Sequence, residues 1–141
     1  MPRVCTLGAQ GFLSVSTPFD SGLVTNGDFN DPIGGSLNPW TTSNFGGGAE
    51  RPVRNGNNQV EFVNNCILTQ TVGGLPTNST FTLSFVVNEL TDLTSSLNGV
   101  YVNWVTAGVS EIRTFIRSTG LITATVNNAS SSSATIEFRV I

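Results

Sequence analysis

Hydrophobic positions along this chain recur at every second residue. In residues 133–141, Ala134, Ile136, Phe138 and Val140 fall on one side, with Thr135, Glu137 and Arg139 on the other. In residues 81–87, Phe81, Leu83, Phe85 and Val87 alternate with Thr82, Ser84 and Val86. The same reading sets Val100, Val102 and Trp104 opposite Tyr101 and Asn103, and Ile122, Ala124 and Val126 opposite Leu121, Thr123 and Thr125. Successive side chains of a strand point to opposite faces, so this alternation predicts half-buried strands. Shorter candidates are QVEFV, CILTQTV and EIRTFIR. No stretch sustains a 3.6-residue period, so at most a stray helical turn is expected.

Turn residues bound these segments: Asn55-Gly56, Gly73-Gly74, Asn98-Gly99, Thr119-Gly120 and the polar run 127–133. Each pairs a residue tolerant of positive φ with a short polar interruption, the chemistry that closes hairpins. About eight or nine short strands at this spacing predict an all-β fold, an antiparallel β-sandwich or jelly roll.

The segment LVTNGDFN, followed some ten residues later by Trp40, resembles the opening of the galactose-binding-like jelly rolls. Carbohydrate-binding modules of secreted polysaccharide-degrading enzymes are the best-known members. The middle, ILTQTVGGLPTNSTFTLSF, is similar to that family's apolar-x-Gln-x-Val, Leu-Pro and aromatic-Thr-Leu-Ser-Phe segment, and STGLITATVNNASSSSATIEFRV resembles its last two strands. The resemblance spans residues 23–141, which are expected to form the jelly roll, with residues 1–22 as an N-terminal extended arm. The shared residues are mostly fold-making ones, so it implies architecture more than activity.

In that family a Glu after the Phe, with an Asp in the last strand, helps to hold a structural calcium. Here Asn30 follows Phe29 and the last strand reads IEFRVI. Asp28, Asp31 and Glu137 remain as oxygen donors, against the roughly six to eight that calcium takes. No cofactor is expected, with a structural calcium held by these donors as the lesser alternative.

Histidine, the commonest general base and metal ligand, is absent. The close pair Asp28 and Asp31 sits in a Gly/Pro/Asn stretch, where aspartates make Asx turns. Two cysteines without a histidine suggest neither a zinc site nor a cysteine nucleophile. The expectation is a protein without catalytic residues, not an enzyme. Cys5 and Cys66 permit one disulfide; with no apolar signal-peptide core in the first residues, reduced thiols are expected. The sequons at Asn78 and Asn128 then carry no weight.

Charge narrows the partners. The chain of 141 residues has six arginines, no lysine and a net charge of −3. Scattered arginines form no stripe that would displace counterions from phosphates, so no nucleic acid is expected. No apolar run approaches the roughly 20 residues that span a bilayer, so no membrane partner is expected either.

Sugar recognition calls for an aromatic platform beside polar side chains, because a pyranose has apolar C–H faces and a rim of hydroxyls. The aromatic candidates are Trp40, Phe45, Tyr101 and Trp104, with Gln70, Asn103 and Arg113 as polar partners. Trp40 belongs to the opening motif and Trp104 shares a face with Val100 and Val102, so both read as core. Tyr101 and Asn103 share the opposite face and are the better ligand candidates. The Gly-rich stretch 44–58 carries Arg51 and Arg54, candidates for partner or glycan contact.

The first 22 residues carry apolar beads, Val4, Leu7, Phe12, Leu13, Val15 and Phe19, separated by small polar residues. Termini fray unless something ties them down. Such a leader is held either by its own sheet or by a neighbour, in which case it is an arm that grips another subunit. Two functions follow. One is a structural protein of an assembly, a phage capsid decoration or cement protein made in the host cytoplasm, bound to capsid subunits at the virion surface and expected to oligomerise. The other is a carbohydrate-binding module or adhesin, secreted or part of a larger enzyme.

Overall fold

The computed structural model describes residues 4–7, 12–15, 29, 37, 39–63, 65–75, 79–91, 100–106, 109–129 and 132–140. The strands are β1 (Val4–Leu7), β2 (Phe12–Val15), β3 (Thr41–Asn44), β4 (Val53–Arg54), β5 (Val60–Phe62), β6 (Cys66–Val72), β7 (Ser79–Thr91), β8 (Val100–Thr106), β9 (Val109–Ile116), β10 (Gly120–Ala129) and β11 (Ala134–Val140). Every pairing among them is antiparallel. The all-β sandwich expected from the alternation is what the chain forms, with nine of the strands, β3 to β11, after residue 40.

The five-stranded sheet runs β3-β6-β11-β8-β9, and the six-stranded sheet runs β10-β7-β1-β5-β4 with β2 also on β7. Aromatic rings close the space between them. Phe85 of β7 meets Phe138 of β11 edge-on at 5.1 Å, and Phe81 of β7 stacks on Trp104 of β8 at 5.3 Å. Offset and edge-on rings are the preferred aromatic geometries and add to the area they bury. Phe62, Phe81 and Phe85 are among the largest fully buried side chains. Each contributes roughly 1.5–3 kcal/mol of transfer free energy.

Burial follows the predicted alternation. In β11, Ala134, Ile136, Phe138 and Val140 are buried and the residues between them are only partly so. Trp40 packs on Phe29 at 5.8 Å and on Phe138 at 6.1 Å, so the two aromatics of the opening motif sit in the core, as does Trp104. Leu121, placed opposite Ile122 and Ala124, is exposed. The remaining residues of that opening, Leu23 and Asp28 among them, lie outside the described residues, as do Asp31 and Phe19.

The leader's two strands lie end to end along one edge of β7. Val4 to Leu7 pair with Thr91 to Val87, and Phe12 to Val15 pair with Ser84 to Phe81, while β10 takes the other edge. β1 is also bonded to β5, Cys5 opposite Phe62, so it fills an interior position in the six-stranded sheet. Of the two cysteines, Cys66 is a buried free thiol in β6.

Candidate binding face

The outer face of the five-stranded sheet is a lattice whose register can be read directly. Arg139 lies opposite Tyr101 on one side and Ile67 on the other, and Tyr101 lies opposite Phe115. The next row places Thr69, Glu137, Asn103 and Arg113 side by side. Opposed residues in adjacent strands share a face, so β11, β8 and β9 deliver six functional side chains to one patch.

These side chains are tied together. Arg113 donates from Nε to Oδ1 of Asn103 at 3.1 Å, and Asn103 donates from Nδ2 to Oε1 of Glu137 at 3.0 Å. Glu137 pairs in turn with Nε of Arg139 at 2.5 Å. Burial would lower the pKa of Arg139, but Glu137 and the Tyr101 hydroxyl beside it outweigh that and hold it above its ordinary value. Arg139 is therefore a fixed cation at any accessible pH.

Each arginine of the patch also lies over a ring. The guanidinium carbon of Arg113 stands 4.6 Å from the Tyr101 ring centre, that of Arg117 stands 4.8 Å from Phe115, and that of Arg139 stands 5.8 Å from Phe45. A ring face attracts a cation and holds the planar fork in a defined orientation. Phe115 meets Tyr101 at 5.5 Å, edge to face. Under this cover Tyr101 and Asn103 are each only 3% exposed, whereas Phe115 is 40% and Phe45 46% exposed. The surface on offer is thus the overlying phenyl rings and guanidiniums, with Tyr101 and Asn103 as their supports.

The structure brings Tyr101, Asn103, Arg113 and Phe45 together, but places Arg51 and Arg54 elsewhere. Arg51 donates to the carbonyls of Gly48 and Glu50, at 2.6 and 2.9 Å, and so braces its own loop. Arg54, on β4 at the edge of the other sheet, donates to the side chain of Asn58. Asn44 completes the loop, its Oδ1 accepting from the amides of Gly46 and Gly48 and its Nδ2 donating to the Glu50 carbonyl. Gln70 is buried and lines a groove with Pro39, Thr41, Thr69 and Thr71, with no aromatic ring among the described residues of its wall. The side chains of Val4, Leu7, Phe12, Leu13 and Val15 lie outside the described residues; their backbones are the strands above.

Glu137, one of the oxygen donors left for a calcium in place of the family's own, is engaged by Asn103 and Arg139. Among the described residues no group of three acidic, histidine or cysteine side chains could hold a metal. Sequence reasoning missed Phe115, Arg117 and Arg139 as members of a site, and named Glu137 only as an oxygen donor for calcium. Alternation alone puts Arg113, Phe115 and Arg117 on one face; joining them to Arg139 requires the β8–β9 and β8–β11 registers. Comparison with protein-family models, with curated proteins and with solved structures gave no match.

Proposed function

We propose that this chain is a non-catalytic binding module that recognises carbohydrate through the outer face of its five-stranded sheet. The observation that carries the reading is the pair of half-exposed rings, Phe45 and Phe115, flanking an ordered lattice of Arg113, Asn103, Glu137 and Arg139. Phenyl rings suit the C–H faces of a pyranose, and fixed donors and acceptors suit its hydroxyls. Preorganisation favours affinity because few rotamers are lost on binding. The test is a panel of immobilised polysaccharides probed with the full chain and with a Phe45→Ala/Phe115→Ala variant. At least one polymer retards the wild type, and the variant loses tenfold or more while keeping its circular dichroism. Equal retention of both proteins, or retention by no polymer, overturns the reading.

The second reading is a structural protein of an assembly, a capsid decoration or cement protein that binds capsid subunits and copies of itself at a virion surface. It is favoured by β2, which among the described residues pairs with β7 alone and so leaves one backbone edge for another strand. The apolar leader that supplies β2 is then the element exchanged or extended between subunits. Sedimentation of the full chain over a wide concentration range tests self-association, and a monomer throughout overturns a homo-oligomeric shell component.

A further inference from the structure

The binding face concentrates positive charge in an acidic protein. The chain has six arginines against nine carboxylates. Three of those arginines, Arg113, Arg117 and Arg139, stack on rings of this one face. The one carboxylate among the face's described side chains, Glu137, is already paired with Arg139. Arg113 and Arg117 have no ion pair among the described residues, and both are exposed. The described part of the face therefore carries an excess of two positive charges.

We infer that the saccharide bound here is anionic, a polysaccharide of carboxylate-bearing sugars such as uronates. This rests on the carbohydrate-binding reading and narrows its ligand class. Stacking on Tyr101 and Phe115 leaves the in-plane N–H edges of the two guanidiniums free to meet a planar carboxylate as a fork, the arrangement in which arginine binds that group best. Asn103 takes Nε of Arg113, and among the described residues no hydrogen bond engages its two terminal amino groups. Phe115 lies between the two cations in sequence and accepts the apolar face of the same sugar. A neutral glycan offers these guanidiniums hydroxyl acceptors alone, without the charge and the two-oxygen fork of a carboxylate.

The experiment measures affinity electrophoresis and calorimetry of the full chain on polygalacturonate, on the same polymer with its carboxyls reduced to alcohols, and on dextran sulfate. The wild type binds polygalacturonate, tenfold or more tighter than the reduced polymer, and weakens as salt is raised. Arg117→Gln, at an exposed position outside the hydrogen-bonded lattice, loses severalfold, and Arg113→Gln loses tenfold. Equal binding to native and reduced polymer, still lost in the Phe45→Ala/Phe115→Ala variant, overturns the anionic ligand and leaves the carbohydrate reading standing. Dextran sulfate bound as tightly as polygalacturonate overturns recognition of the carboxylate and marks plain charge attraction. Binding to none of these three overturns the anionic ligand, and only retention by no polymer of the wider panel overturns the carbohydrate reading as well.

Discussion

The two faces of the five-stranded sheet are built from the same strands and are almost equally dry at their centres, yet different physics dries them. On the inner face Val100, Val102 and Trp104 are covered by hydrocarbon from the opposite sheet, with Phe81 stacked on the indole. On the outer face Tyr101 and Asn103 are covered by arginine side chains from β9 and β11 and by Phe115. Arginine stems shield apolar surface while their heads remain at water. Low exposure of a side chain therefore does not by itself mean core. The inner face is closed by the opposite sheet, the outer one by hydrogen-bonded arginine side chains whose charged heads stay at water.

The comparison breaks most severely at its inner side. Phe138→Ala removes a ring that touches both Trp40 and Phe85 and leaves a cavity between the sheets. A loss of about 3–5 kcal/mol in urea unfolding is expected. A loss below 1 kcal/mol would mean that the two sheets do not pack as a single core.

Glu137→Gln probes the outer side. It keeps an acceptor for Asn103 but removes the charge that pairs with Arg139. The expected cost is about 1–2 kcal/mol, shrinking as salt is raised because the pair is partly exposed. A salt-independent loss equal to that of Phe138→Ala would show that both faces are core.

The smallest effect separates the faces by pH. Burial raises the pKa of the Cys66 thiol, against a backbone hydrogen bond at Val63 that lowers it, with Glu50 and Arg51 adding smaller opposing contributions. Because the folded value lies above the unfolded one, this contribution is complete below the ordinary thiol pKa of about 8.5 and is lost as pH rises through the folded value. Above pH 9 the wild type should lose stability faster than Cys66→Ala, by at most about 1.4 kcal/mol per pH unit. Parallel curves would show that the thiol is not buried on folding.

How much of this was legible follows from what each signal depends on. The alternation in residues 81–87, 100–104 and 134–140 located inner faces strand by strand, because a strand buried on one side needs apolar residues at period two. Trp104 read as core for the same reason, and Trp40 from its place in the opening motif. The stretch 44–58 read as a Gly-rich loop presenting Arg51 and Arg54 for contact, and Asn44 and Asn55 fold it from within. Asn55 accepts from the amides of Asn57 and Gln59, and Val53 and Arg54 become a short strand on β5. Arg51 and Arg54, candidates for partner contact from their charge, also donate within the stretch, to the Gly48 and Glu50 carbonyls and to Asn58.

The composition and the two-residue period determined that this chain is all-β, antiparallel and two-layered, and which side of most strands turns inward. These are local matters: side-chain alternation and turn chemistry are properties of a few consecutive residues. Tertiary structure decided that β1 enters the sheet between β7 and β5, and that Arg113, Arg139 and Glu137 meet over Tyr101 and Asn103. Both depend on which strand lies beside which and in what register: Arg113 is 10 positions from Asn103 but Glu137 is 34 from it, and β1 meets β7 from farther still, where no local pattern reaches.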